Sequence, residues 1–299
     1  MDRRKFIYNT ALLAGAGLLF QKQALAELFR TAAPGIRMLR NNVGIFTEKG
    51  GTIGFLLSDQ GIVVVDAQFP DSSKNFIAEA KKMKDKPFTY LLNTHHHGDH
   101  TSGNISFKGI VGNVMAHENS LVNQKATAEK QNLLDKTLLP DRTFSRKAKI
   151  KAGREKIRGY YFGAAHTNGD AIWHFDRANI AHMGDLMFNK RHPFVDRAAG
   201  ANMSNWINVL DKAVKQFEKD TIYIFGHSLT PGEETGTAED LKKFGGYLAA
   251  VLQFAEREFK AGKSKEEFLK NTSIPGVTEW SGDGIQRPLQ AAYEEVSTR

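Results

Sequence analysis

The residues best equipped for chemistry lie together at Asn93, Thr94, His95, His96, His97, Gly98, Asp99 and His100. Four imidazoles and one carboxylate fall within six residues, directly behind the apolar run 87–92, so a buried strand delivers metal-capable side chains to one point. Zinc suits such donors, because it takes imidazole nitrogen and carboxylate oxygen in four- or five-coordinate geometry without redox demands. The run is mid-chain, follows a strand and carries Asp99, which separates it from a solvated histidine tract. The chain has no cysteine, so disulfides and thiolate zinc sites are excluded and any metal must rest on His, Asp and Glu.

The flanking sequence reads as one α/β domain. Residues 43–47, 51–57 and 61–66 are short apolar runs separated by turn residues and predict consecutive antiparallel strands. Pro70 and Asp71 open a helix with Phe76, Ile77, Ala80 and Met83 at helical spacing, which leads back to the strand before His95. Residues 116–135 read as an outer helix, 148–162 as a strand pair, and 171–175 and 179–183 as two further strands. Trp206, Val209, Leu210, Ala213, Val214 and Phe217 form one stripe of a helix over 204–219, and a strand follows at 221–225. A helical C-terminal extension starts near residue 237, with a capping box at Ser264 and Glu267.

Three more metal-capable residues stand just past strand ends: His166, Asp185 and His227. Strand C-terminal ends are where α/β folds gather their sites, so convergence with the 95–100 cluster is expected. Gly98, Gly184 and Gly226 each precede a candidate and would let the backbone turn sharply. His117, His174, His182 and His192 read as structural or surface residues, and His96 as pointing away from the ions. Trp173, Trp206 and Trp280 fit packing roles. Asp170 is a candidate brace for the loop after His166 and a candidate acceptor for a ligand imidazole.

His95, His97, Asp99 and His100 spell H-x-H-x-D-H, which resembles the signature of the metallo-β-lactamase-fold superfamily, and the later candidates follow in that family's motif order from Val43 to His227. The resemblance implies an αββα four-layer sandwich of two mixed β-sheets flanked by helices. It also implies that His95, His97 and His166 hold a first zinc ion, that Asp99, His100 and His227 hold a second, and that Asp185 bridges them. Asp185 stands where one major subclass of true metallo-β-lactamases has cysteine, so β-lactam cleavage is open rather than the default. The Asp99–His100 pairing resembles the subclass that binds its second ion with Asp and two His.

Two zinc ions about 3.5–4 Å apart would share a water of near-neutral pKa, so the expected reaction is attack of metal-bound hydroxide on an amide, ester, lactone or thioester. Asp99 would orient the hydroxide and carry its proton to the leaving group. Iron-dependent, persulfide-dioxygenase-like chemistry and metal-dependent phosphodiesterase or nuclease chemistry are the alternatives within the same resemblance. Seven filled positions favour two ions over the single iron of the former. Residues 46–52 and 188–203 are the expected specificity loops for a small-molecule substrate, and Asn189, Lys190 and Arg191 are candidates to meet an anionic group.

Residues 1–26 resemble a twin-arginine export signal: Arg3 and Arg4, a short apolar stretch over 11–20, and Ala24-Leu25-Ala26 for cleavage. The expected protein is periplasmic, meets the twin-arginine translocation machinery during export, and forms a single domain over 27–299. Loss of residues 1–26, with four Lys or Arg and one Asp, lowers the net charge from +8 to +5. So mild a balance without a basic arm gives no reason to expect nucleic acid as a partner.

Overall fold

In the computed structural model, which describes residues 35–299, the apolar runs after Asn42 form the expected antiparallel series. The strands are β2 (Val43–Thr47), β3 (Ile53–Ser58) and β4 (Gly61–Val65), with β1 (Gly35–Arg40) paired to β2 at the edge. Helix α1 (Pro70–Met83) starts with proline at its first turn and buries Phe76 and Ala80. It returns the chain to β5 (Phe88–Leu92), which lies parallel to β4. The one-turn helix α2 (Gly98–Thr101) then carries Asp99 and His100. The expected export signal, residues 1–26, lies outside the described residues.

A parallel strand β6 (Val111–His117), helix α3 (Glu118–Lys130) and a short β7 (Arg142–Phe144) complete a seven-stranded mixed sheet in the order β1 to β7. The strands β1, β6 and β7 went unread in the sequence. Their residues are short, half-polar runs, and the pairing partner rather than the local pattern decides their state. The helix read over 116–135 begins only at Glu118, because His117 ends β6 and its Nδ1 accepts the Asn119 backbone N–H as the N-cap.

The second sheet holds β8 (Lys147–Ala152), β9 (Glu155–Tyr160), β10 (Ile172–Phe175), β11 (Ile180–His182), β13 (Ile222–Ile224) and β15 (Thr235–Gly236). It is antiparallel except where β11 runs parallel to β13. A small ribbon pairs β12 (Phe188–Asn189) with β14 (His227–Ser228).

Strand β4 shows why the layers stack. Val63 and Val65 join Leu56, Leu92, Trp173, Phe175 and Ile224 between the sheets, whereas Ile62 and Val64 face outward onto Phe76, Phe88 and Phe107. Both faces are buried, as parallel sheets require, and each such side chain contributes about 1.5–3 kcal/mol. Helices α4 (Met203–Gln216), α5 (Ala238–Lys260) and α7 (Gln286–Ser297) cover the second sheet through Trp206, Leu210, Phe244, Leu248 and Leu289, with the capped turn α6 (Lys265–Phe268) between α5 and α7. The result is the expected αββα arrangement of two mixed sheets flanked by helices. Among the described residues, no helix is long and apolar enough to cross a membrane.

Candidate metal centre

The ends of β5, β9, β11 and β13 open on the same edge of the sandwich, and their loops meet there. All seven expected positions come together in two adjoining clusters, one of His95, His97, His166 and Asp185, the other of Asp99, His100 and His227. His96 joins neither.

In the first cluster His97 Nδ1 lies 3.1 Å from His95 Nε2 and 2.9 Å from His166 Nε2. In the second, Asp99 Oδ2 is 3.1 Å from His227 Nε2, and the Nε2 atoms of His100 and His227 are 3.4 Å apart. Asp185 stands between the two. Its Oδ2 is 3.4 Å from His166 Nε2, while its Oδ1 is 2.9 Å from His100 Nε2 and 3.4 Å from His227 Nε2. Nitrogens sharing a tetrahedral zinc at 2.0–2.1 Å sit about 3.3 Å apart, so this donor set suits zinc. Asp185 Oδ1 is buried with no geometrically sound hydrogen bond, as expected of an oxygen that serves a cation.

Ring orientation is set from behind. The Nδ1–H of His95 donates to Thr94 Oγ1 (3.0 Å), that of His100 to Asp66 Oδ2 (2.7 Å), and that of His166 to the Phe194 carbonyl (2.9 Å). Each turns its Nε2 toward the clusters. His97 is turned the other way round, with Nε2 2.9 Å from Asp196 Oδ2. Phe188 stacks on His227 at 5.3 Å, and Trp280 Nε1 holds the Phe188 carbonyl.

The two halves differ in charge. Burial, with His100 nearby, holds His95 well below the ordinary imidazole value, and burial takes His166 down to about 3, so both are neutral donors at pH 7. Burial works against His100 too, but Asp185, Asp99 and Asp66 raise it well above the ordinary range. Asp185 is pushed up by burial and pulled further down by His227, His100 and His95, ending well below the usual carboxylate range. Asp99 keeps 31% of its side chain exposed against 4% for Asp185, so it is the carboxylate that solvent and substrate can reach. Burial opposes its ionisation, yet His100 and His227 bring it to about 2.

Glycine matters most at 226, where a Cβ would fall 2.1 Å from Asp185 Oδ1 and 2.6 Å from the Gly184 carbonyl carbon. Backbone cannot yield there as a side chain would. Gly226→Ala should cost about 1–3 kcal/mol and displace Asp185. Elemental analysis after dialysis should then find less metal than in the parent; a variant with parental stability and metal content would remove this close approach from the account. Gly184 also needs its glycine (φ +53°, with Thr94 Cβ 2.5 Å from a built Cβ), whereas Gly98 merely starts α2.

The other histidines serve the scaffold. His174 stacks on Phe217, and His192 Nδ1 meets Tyr247 Oη at 2.9 Å. His182 donates from Nε2 to the Thr52 carbonyl and accepts the Gly184 N–H at Nδ1, so protonation would destroy an acceptor. Burial takes it to about 4 from 6.5. The unfolded chain therefore binds a proton that the folded protein refuses between those values, and stability should fall by on the order of 3 kcal/mol as pH drops through that window. Urea unfolding between pH 7 and 4 should show this part of the slope missing in His182→Gln; identical slopes would refute it.

Some expectations need correcting. Asp170 braces its loop by accepting the Thr167 N–H (2.8 Å) and hydroxyl (2.7 Å), and meets no imidazole, because the tight turn consumes both oxygens. Lys190 is paired with Glu233 at 3.0 Å and Asn189 is buried against Ser228 and the Glu233 carbonyl, so neither is free for an anion. The roles of Asp66, Thr94, Phe194 and Asp196 in holding the imidazoles from behind were not read from the sequence. The only trace of Asp66 in the sequence is its place at the end of an all-apolar strand, where a lone carboxylate must find a partner.

A sequence profile described as the metallo-beta-lactamase superfamily matches residues 47–227. The chain is 24% identical over 206 residues to "Metallo-beta-lactamase type 2" of Bacillus cereus, covering 66% of this chain and 77% of that protein. It is 26% identical over 180 residues to "Hydroxyacylglutathione hydrolase" of Bartonella henselae, covering 59% and 63%. Among solved structures, a metallo-beta-lactamase from Pontibacter korlensis superposes with a TM-score of 0.62 at 16% identity, covering 73% of this chain and 99% of that one.

Proposed function

The chain belongs to the metallo-beta-lactamase superfamily, and on that premise we propose that it is a periplasmic dinuclear zinc hydrolase that cleaves an acyl bond: amide, ester, lactone or thioester. The observation that carries the reading is the division of Asp185, one oxygen to each cluster. His95, His97 and His166 would hold one ion, Asp99, His100 and His227 the other, and Asp185 both. Zinc bound there would polarise the scissile carbonyl and bring the pKa of a shared water toward neutrality.

The protein's own part is orientation and proton handling. Asp99, ionised and reachable from solvent, accepts the proton of the attacking water and passes it toward the leaving group. Phe194, 42% exposed with its ring 5.4 Å from that of His97, and Phe69, 37% exposed beside residue 50, give the mouth an apolar rim. That rim suits a substrate with a hydrophobic group next to the bond cut.

Metal content of protein purified without added metal or chelator tests the reading. Two zincs per chain, followed by turnover in a screen of β-lactams, lactones, thioesters and phosphodiesters, is the expected result. One iron would move the protein to oxygen chemistry, and no metal after reconstitution would end the proposal. Export is tested separately by finding the protein in a periplasmic fraction and losing it there when Arg3 and Arg4 are both replaced by lysine.

A further inference from the structure

We propose that Asp196 is a positioning residue for the first cluster: it accepts a hydrogen bond from the Nε2–H of His97 and so turns the Nδ1 lone pair of that ring toward His95 and His166. The inference rests on the reading that these three imidazoles share an ion.

His97 is the odd ring of the set. His95, His100 and His166 face the clusters with Nε2, whereas His97 presents Nδ1, 3.1 Å from His95 Nε2 and 2.9 Å from His166 Nε2. A histidine that ligates through Nδ1 must carry its proton on Nε2, and the tautomer follows the partner of that second nitrogen. The partner is Asp196 Oδ2 at 2.9 Å. The carboxylate is itself held on two sides, its Oδ1 accepting the Ala199 N–H at 3.0 Å and its Oδ2 lying 3.5 Å from His96 Nε2. His96, between two cluster members in sequence, thus supports one of them from outside.

The same segment fixes a second ring. The Phe194 carbonyl accepts the Nδ1–H of His166, and the Asp196 N–H returns to the His166 carbonyl at 3.2 Å. Residues 194–196 therefore orient two of the three first-cluster imidazoles. Their anchor lies in the last helix: Arg197 contacts Glu295, whose carboxylate also takes the N–H groups of Met203 and Ser204 at the start of α4. Glu295 lies beyond the 47–227 stretch that the family profile matches.

The test is stepwise zinc affinity by competition with a chromophoric chelator, with His95→Ala beside Asp196→Ala. Asp196→Ala should weaken one of the two zinc sites about 10–100-fold and leave the other within a few-fold of the parent. Parental affinity at both sites in a folded Asp196→Ala protein would overturn the proposal while leaving the dinuclear reading intact. Two undiminished sites in His95→Ala would instead defeat the reading that His95, His97 and His166 share an ion. Should Asp196→Ala fail to fold, nitrogen-15 correlation spectra of the zinc-loaded parent carry the test, with His97 expected to be protonated at Nε2 and His95 and His166 at Nδ1. His97 protonated at Nδ1 would overturn the proposal. So would a third retained zinc bound by His96, His97 and Asp196, because the carboxylate would then be a ligand and not a hydrogen-bond acceptor.

Discussion

Asp99→Ala should lower kcat on any responsive substrate by roughly 10²–10⁴-fold, the range for removing a positioned acid–base group, with the fold intact. Exposure separates this carboxylate from the buried Asp185: it is 31% exposed, so its replacement leaves no cavity in the core. His100 and His227, against burial, lower its pKa to about 2. Asp99→Ala also removes one donor from the second cluster, so kcat and metal content must be measured together. Saturating zinc should restore occupancy before it restores rate, because the proton acceptor stays missing. His97→Ala should abolish turnover by the simpler route of losing a ligand. Circular dichroism matching the parent, with full activity in either purified variant, would sink the site assignment.

Asp66→Ala should be the most destabilising change near the site. The side chain is fully buried, holds a left-handed backbone (φ +62°) that aspartate tolerates, and accepts three donors: the Thr94 N–H (2.8 Å), the Thr94 hydroxyl (2.7 Å) and His100 Nδ1 (2.7 Å). Removing one partner of such a buried pair costs about 3–5 kcal/mol, most of it from the donors left unpaired. Asp66→Asn separates stability from function. An amide can still accept the Thr94 N–H, but its NH₂ then faces His100 Nδ1. That ring must accept there and move its proton to Nε2, the atom turned toward Asp185 and His227. The expected result is a fold close to parental by urea titration, with zinc affinity at one site down about 10–100-fold. Equal losses at both sites, or none, would show that His100 takes its orientation from elsewhere.

Much of the fold was legible because it rests on local periodicity. The strands from Val43 to Val65, α1 with its proline start, the α4 stripe around Trp206 and the capping box at Ser264 each lie within one window of sequence. Strands β1, β6 and β7 were not legible, since their state depends on a neighbour across the sheet. The 95–100 motif was readable for the same local reason, its donors being six residues long.

By itself, then, the sequence determined the metal-capable side chains, the elements that carry them and the order in which they occur, because those follow from composition and spacing along one chain. Only the tertiary structure decided which donors share a cluster, that Asp185 divides its oxygens between two, and which nitrogen each ring presents. Ring orientation depends on Asp66, Thr94, Phe194 and Asp196. Except for Thr94 these lie 28 to 99 residues from the imidazoles they hold. A hydrogen bond acts over about 3 Å of space whatever the separation in sequence, and no local pattern records such a contact.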